Sequence, residues 1–481
     1  MSDPIRFLLG RTPVEIADAD PTTTVLEWLR GSARRCGTKE GCAEGDCGAC
    51  TVVLVEADGS SRSVNSCIQF LPTLDGKQLL TVEDLKSEDG ALHPVQKAMV
   101  ECHGAQCGFC TPGFVMSLYH LHRTYDGPLP PSRETLDRAL GGNLCRCTGY
   151  RPILEAGARM FDTPAKPDAR DADLPAKLGA LARDKGLDYR AQGKLFLAPR
   201  SLDELAQALA DRPSARILAG GTDLGLEVTK AHRDFPALIY VGEVAELKRI
   251  VRLATHLELG GAVTWTQAFA PLVEIWPGLD ELLARFAGPP IRNAGTVGGN
   301  IANASPIGDS PPVFIALDAQ IELFGPAGAR WLKIAEFFRD YRKTALAPGE
   351  IVARVRIPLP SPATAFAAYK ISKRFDDDIS AVCGVFALDI EGGIVTAARL
   401  AFGGMAAIPK RATHAEAALI GKPWTLDAAR EAGAALARDF APLTDMRASA
   451  EYRAKVAANL LIRFHHEIAK TGAATRGIAY G

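Results

Sequence analysis

The sequence predicts a multidomain α+β chain: a small α+β unit, an all-helical unit, a mixed α/β unit and a closing α+β unit. Three observations point there. The chain has 481 residues, which at roughly 100–200 residues per domain asks for three or four domains. Ten of its eleven cysteines lie between Cys36 and Cys147, and only Cys383 lies beyond. A cysteine-rich first third is therefore joined to a cysteine-poor remainder. The apolar periodicity also changes along the chain, from strands to helices, then to alternating strands and helices, then to strands followed by helices.

The first unit, 1–86, opens with a hairpin, IRFLLG and PVEIA. A helix follows, VLEWLRGSA, with Thr23 or Thr24 as its N-cap. After the glycine-rich KEGCAEGDCGAC loop, TVVLVEAD and SRSVNSCIQF read as strands. The second unit, 90–160, holds four helices: HPVQKAMVECHG, PGFVMSLYHLHRTY with Pro112 in its first turn, PSRETLDRALGGN capped by Ser132, and YRPILEAGARMF. Residues 161–178 are rich in proline and charge, without apolar period, and read as a linker. In the third unit, 179–362, LFLAP, SLDELAQALA, ARILAGGTD, ALIYVG and HLELGGAVTW alternate strand and helix. In the fourth, 363–475, the strands AYKISK, SAVCGVFALDI and IVTAARLAFGG precede helices such as TLDAAREAGAALARDF, as expected for helices against an antiparallel sheet.

Composition narrows the function classes. Apolar content of 47% and a net charge of −1 do not fit a disordered chain. Coating a polyanion would need a basic excess, so no nucleic-acid partner is expected. No apolar run nears the roughly 18 residues of a membrane span, and MSDPIRFLLG lacks the pattern of a secretory signal. A cytoplasmic location without membrane association is the expectation.

Two cysteine sets carry the chemistry. Cys42-x4-Cys47-x2-Cys50, with sixteen residues between Cys50 and Cys67, has the plant-type [2Fe–2S] spacing. A short loop supplies three thiolates, and a strand folding back supplies the fourth. A structural zinc site usually takes C-x2-C knuckles, and the x4 arm does not suit it. The second set is Cys107-x2-Cys110 and Cys145-x-Cys147, placed where two helices are predicted to begin. Two cysteine pairs at adjacent helix starts can make one tetrathiolate site facing the positive helix ends; by local spacing alone it suits zinc as well. Two iron–sulfur sites in series would carry single electrons. Cys36, Cys102 and Cys383 read as packing residues.

The α/β region contains neither G-x-G-x-x-G nor G-x4-G-K-[ST]. It has Gly220-Gly221-Thr222-Asp223 after the ARILA strand, and Gly298-Gly299-Asn300 in a second loop. Adjacent glycines after a strand let N–H groups close on an anion, although each alone also fits a plain tight turn.

The motifs KEGCAEGDCGACTV, GAQCGFCTPGFVMS and GGNLCRCTGYRPI resemble the iron–sulfur segments of the xanthine dehydrogenase and aldehyde oxidase family of molybdo-flavoenzymes. ILAGGTDLGLEVTK and GTVGGNIANASPIGDSPP resemble its flavin segments, and FGGMAAIPKRA its flavoprotein C-terminal domain. The resemblance runs from residue 5 to about 465. It implies a plant-type [2Fe–2S] ferredoxin-like domain, a helical [2Fe–2S] domain, an α/β FAD-binding domain of the non-Rossmann (PCMH-type) class and an α+β flavoprotein C-terminal domain. It also implies that both cysteine sets hold [2Fe–2S] clusters. FAD contacts would come from Ile217, Leu218, Ala219, Gly220, Gly221, Thr222, Asp223 and Leu224, from Thr296, Val297, Gly298, Gly299 and Asn300, and from Phe286, Asp309, Val352 and Lys370.

The resemblance further implies the small, electron-transferring subunit of a bacterial two-subunit xanthine dehydrogenase. A larger subunit would carry the molybdenum cofactor and the purine chemistry, hypoxanthine to xanthine to urate, in an (αβ)2 heterotetramer. Electrons would pass from there to the Cys107 set, the Cys42 set, FAD and NAD. No catalytic acid, base or nucleophile is then expected on this chain. Two other readings stay open: the matching subunit of a molybdo-hydroxylase acting on aldehydes or N-heterocycles, and a non-catalytic iron–sulfur/flavin carrier or redox sensor.

Overall fold

The computed structural model describes residues 2–164, 171–473 and 475. The chain divides into two compact units. One comprises Met1–Glu246, Thr264–Thr266 and Ala287–Thr296; the other comprises Leu247–Val263, Gln267–Phe286 and Val297–Gly481. The division falls inside the 179–362 segment.

In the first unit, five strands pair in the order Thr12–Ile16, Ile5–Leu9, Gln78–Leu80, Thr51–Val55, Ser61–Asn65. The Ile5–Leu9 and Gln78–Leu80 pairing is parallel and the others are antiparallel. The Val25–Arg30 helix is fixed by a capping box: Glu27 N–H donates to Thr24 Oγ1 (3.1 Å), and the Glu27 carboxylate accepts from Thr24 N–H (2.9 Å). The TVVLV strand is apolar throughout because both faces are covered. Val52 and Leu54 join the core of the sheet, while Val53 and Val55 pack against the helices that follow. The SRSVN strand ends at Asn65, whose carbonyl accepts from Ile68 N–H (3.2 Å) in a turn; the predicted extension to Phe70 is not extended chain.

The four predicted helices form as Pro94–Glu101, Thr111–Thr124, Arg133–Leu140 and Arg151–Arg159. Of the predicted 161–178 linker, residues 165–170 lie outside the described residues. The following part is not a linker strand of coil: Leu174–Ala180 is a helix with proline in its first turn, where no N–H partner is needed. Its Leu178 packs with Leu8 and Leu181. A four-stranded sheet then runs Leu187–Ala191, Lys194–Ala198, Ala237–Tyr240, Arg216–Leu218. The glycine loop at 220 leaves its edge strand and leads into the Leu224–Thr229 helix.

In the second unit, an antiparallel sheet runs Ile250–Arg252, His256–Gly260, Ile351–Pro358, Gln320–Gly325, Gly328–Lys333. The C-terminal sheet is a meander of Thr364–Ile371, Val382–Glu391, Ile394–Gly403 and Lys410–Arg411. Helices Thr413–Leu419, Leu426–Asp439 and Ala450–Ile468 share its core, in which Phe386, Phe402 and Phe464 are fully buried. No helix among the described residues is long and apolar enough to cross a membrane.

Candidate functional site

The first cysteine set is assembled by the 42–50 loop and one hairpin. Register pairing of Thr51 with Asn65 places Cys50 and Cys67 at the same end of two strands, where both are buried. Ser66 Oγ donates to the Cys50 carbonyl (2.7 Å) and fastens that end. Cys42 and Cys47 lie in the loop, where N–H groups of Asp46 and Cys47 point at Cys42 Sγ (3.4 and 3.3 Å) and Cys42 N–H at Cys47 Sγ (3.3 Å). The Cys42 thiol bonds to those of Cys47 and Cys67, and Cys50 bonds to Cys67. Cys47 and Cys67 donate to Cys42, so its pKa falls far below the usual thiol range, and the pKa values of Cys47 and Cys67 rise in compensation. All-sulfur donors with N–H groups aimed at them suit an anionic iron–sulfur group.

The loop is braced from three sides. Asn65 Nδ2 donates to Gly45 O (2.6 Å), Thr229 Oγ1 to Ala43 O (2.8 Å), and Lys230 Nζ to Cys42 O. Thr229 and Lys230 end the helix that follows the 220 glycine loop. Gln69 Nε2 also donates to Gly220 O (3.3 Å). The first cysteine set and the Ile217–Leu224 segment are thus neighbours within one unit. A Cβ at Gly220 would lie 1.9 Å from Ala294 O, so only glycine permits this close pass. A loop without side chains at 220 and 221 suits the approach of a diphosphate.

The second set is more open: Cys107 and Cys147 are exposed, and Cys110 and Cys145 are half-buried. Cys147 Sγ lies 3.6 Å from Cys107 Sγ, and the Cys110 and Cys145 thiols bond to each other. Burial, with Cys145 beside it, pushes the Cys110 thiol up to about 12. Cys110 does stand at the start of its helix. Cys145 and Cys147 do not, contrary to expectation. Gly149 and Tyr150 have left-handed backbone (φ +67° and +68°), so helix geometry begins only at Arg151. Thr148 serves Cys145 instead, through Oγ1 (3.2 Å) and N–H (3.5 Å).

The two cysteine loops are bolted together. Leu144 N–H donates to Cys47 O (3.0 Å). Buried Asn143 donates through Nδ2 to Gly48 O (3.1 Å) and Thr51 Oγ1 (3.3 Å), and its Oδ1 accepts from Ser117 Oγ (2.6 Å). Gly48 has φ +68°, and a Cβ there would lie 2.1 Å from Gly142 O. Sequence reading closed the preceding helix with Gly141-Gly142 and gave Asn143 no role; an amide residue between two cysteine motifs was the signal available.

Of the other expected flavin residues, Thr296 is buried in the first unit and the rest lie in the second. Gly298, Gly299 and Asn300 are not in a loop but in a helix, Val297–Ala302. Val297 N–H donates to Val263 O (2.9 Å) and Gly298 N–H to Gly261 O (2.9 Å), which satisfies its first turn. Val352 is buried in the Ile351–Pro358 strand, and Phe286 is half-buried. Lys370 and Asp309 are buried and joined by an ion pair (2.6 Å). Ser380, which sequence reading missed, donates to Asp309 Oδ1 (2.5 Å) and accepts from Lys370 Nζ (3.0 Å). Arg285, also missed, holds the 370–375 stretch through Phe375 O (2.8 Å), Lys370 O (2.8 Å) and the Phe375 ring (4.4 Å).

Thiol sets joined through their backbones, one of them against a glycine loop, define an iron–sulfur flavoprotein. Comparison with known proteins agrees. The 2Fe-2S iron-sulfur cluster binding domain matches residues 7–78, the [2Fe-2S] binding domain 81–158, the FAD binding domain in molybdopterin dehydrogenase 189–360, and the CO dehydrogenase flavoprotein C-terminal domain 367–468. Xanthine dehydrogenase of Emericella nidulans is 33% identical over 97% of this chain and 39% of its own length. Xanthine dehydrogenase/oxidase of Gallus gallus is 31% identical over 87% of this chain and 36% of its own length. The chain thus spans under two-fifths of these curated relatives. Among solved structures, a chain of the Cu,Mo-CO dehydrogenase aligns at 30% identity with TM-score 0.52, over 56% of this chain and 94% of that one. A chain of quinoline 2-oxidoreductase from Pseudomonas putida aligns at 30% with TM-score 0.52, over 57% and 96%. The chain belongs to the iron–sulfur/FAD molybdo-flavoenzyme family of oxidoreductases.

Proposed function

We propose that the chain is the electron-transfer subunit of a xanthine dehydrogenase, working with a larger subunit that carries the molybdenum cofactor and with NAD as final acceptor. Cys107, Cys110, Cys145 and Cys147 would hold one [2Fe–2S] cluster, and Cys42, Cys47, Cys50 and Cys67 the other. Ile217–Leu224, Thr296–Asn300, Phe286, Asp309, Val352 and Lys370 would serve FAD. When bound, these groups would supply stepwise one-electron transfer and hydride exchange.

The observation that carries this reading is the order of the parts. The open cysteine set is flanked by exposed Phe109, Leu144 and Tyr150, an apolar rim that suits a docked protein. The buried set lies behind it, joined through the Leu144–Cys47 hydrogen bond. The glycine loop lies against the buried set through Gln69 and Gly220. The residues thus form one line from an exposed mouth inward. Asn143 and Gly48 fix the spacing of that line, and Thr229 and Lys230 fix the buried loop against the flavin segment.

The test is reconstitution. The chain should co-purify with a larger molybdenum-containing chain in roughly equal amount, as expected for an (αβ)2 assembly. Alone it should oxidise NADH with a dye but leave xanthine untouched. With the partner, xanthine should reduce NAD, and Cys147→Ser should abolish that reaction while sparing NADH–dye turnover. Oxidation of xanthine by the isolated chain would refute the division of labour. The likeness to a quinoline 2-oxidoreductase chain favours one alternative, an N-heterocycle hydroxylase. Turnover of quinoline-type substrates in place of xanthine by the assembled enzyme would select it.

A further inference from the structure

We propose that the first unit carries an additional site, a cavity that binds a free oxyanion of phosphate size. The cavity is lined by none of the cysteines and by none of the 217–224 residues. Its volume is about 110 Å³, room for three or four waters at ~30 Å³ each. That is far below the roughly 300 Å³ at which pockets begin to hold a nucleotide-sized ligand, so the occupant is small.

Lys77 and Tyr240, both deeply buried, lie in its wall. Lys77 Nζ pairs with Glu243 (2.5 Å). Burial opposes that ammonium, yet Glu243 and Glu56 outweigh it and raise the Lys77 pKa above the usual lysine value. Arg62 bonds to Glu56 (2.9 Å) and to Tyr240. Its Nε is shut from solvent without a hydrogen-bond partner, a donor that still needs an acceptor. Arg183 is held in place by a two-pronged pair with Asp75 (2.6 and 3.0 Å). At the exposed edge stand Lys185 and Arg200, neither of which forms an ion pair among the described residues.

Four cations and three carboxylates thus line the cavity; Arg62, which pairs with Glu56, and Asp3, which pairs with Arg183 (3.8 Å), lie outside the lining. The excess of one positive charge, in a place partly closed to water, is the complement of a singly charged oxyanion. The lining comes from the 56–77 segment, the end of the Leu174–Ala180 helix and its sequel, and the 187–243 sheet region. A bound oxyanion would therefore tie three stretches of chain together. This inference does not depend on the proposed xanthine chemistry.

The test uses the full chain, with and without saturating FAD, so that the flavin's own phosphate contacts are accounted for. Inorganic phosphate is titrated calorimetrically against a chloride blank of equal ionic strength. The expected result is one saturable site per chain, unchanged by FAD, and at least tenfold weaker in the Lys185→Gln/Arg200→Gln double variant. Both substituted side chains are exposed, so folding should be preserved; far-UV circular dichroism checks it. A thermal midpoint raised by phosphate in the wild type and not in the variant is the second readout. Absence of saturable binding overturns the proposal. So does undiminished binding in the double variant, and so does loss of binding when FAD is present, which would assign the phosphate to the flavin loop.

Discussion

Replacing Asn143 by alanine should loosen the junction between the two cysteine modules by about 3 kcal/mol. The magnitude follows from its partners. Gly48 O keeps Thr51 Oγ1 as a donor (2.7 Å) after the change, so it is not orphaned. Ser117 Oγ, buried, loses its acceptor at 2.6 Å. An unsatisfied buried hydroxyl costs about 1–3 kcal/mol, and the space left by the amide adds about 1 kcal/mol. The assay is hydrogen exchange of the Thr111–Thr124 helix, which carries Ser117. Its protection should fall roughly a hundredfold if that helix opens with the junction. Asn143→Asp should be worse, because a carboxylate would face the Gly48 carbonyl. Adding Ser117→Ala to Asn143→Ala should cost little more, since the orphan is then gone. If Asn143→Ala changed protection less than about threefold, or if the two substitutions were additive, the bolt as described would be wrong.

Three further outcomes are expected. Cys47→Ser and Cys110→Ser should each halve an iron content of about four per chain, while Cys36→Ala, Cys102→Ala and Cys383→Ala should leave it intact; metal analysis with EPR decides, and zinc at the second set would refute its assignment. Lys370→Met should destabilise the FAD-free chain by about 3–5 kcal/mol in urea, because Asp309 is left as a buried, uncompensated carboxylate, and Lys370→Met/Asp309→Asn should recover most of the loss. Burial, with His122 beside it, lowers the pKa of His93 to about 4, and its Nδ1 must stay unprotonated to accept from Val95 N–H (3.3 Å). A folded-state pKa below the unfolded value of ~6.5 means that this contribution is whole above pH ~6.5 and is lost as the pH falls through about 4. Discounted for partial solvent contact, it is worth about 1–2 kcal/mol; His93→Asn should flatten that part of the acid dependence of the melting temperature, and an unchanged slope would count against it.

Local rules made much of the fold readable. Thr23 or Thr24 announced a helix start, Pro112 and Ser132 two more, and the TVVLV run a strand. The cysteine spacing placed both thiol sets because ligand geometry is written in short range. What the sequence did not disclose depends on distant partners. Asp309 and Lys370 are 61 residues apart, and neither position says that the other neutralises it or that Ser380 completes the set. Asn143 drew no notice beside the Gly141-Gly142 helix stop, because only the fold shows its amide spanning Gly48, Thr51 and Ser117. Gly298, Gly299 and Asn300 read as a loop because paired glycines signal turns, yet backbone partners at Val263 and Gly261 hold them helical. The helix at Leu174–Ala180 was hidden by its proline, which is harmless in a first turn.

The contrast in burial between the thiol sets bears on how such a chain is made in the cell. Cys50 and Cys67 are sealed beneath the hairpin, whereas Cys107 and Cys147 face solvent. If these thiols hold a cluster as proposed, a donor protein would reach Cys50 and Cys67 while the 42–50 loop is unfastened from Asn143 and Lys230. The outer set stays reachable after the chain has closed. On the proposed reading, maturation should follow access: the inner centre would be installed before the fold is sealed, and the outer one could be filled, or replaced after damage, in the finished molecule.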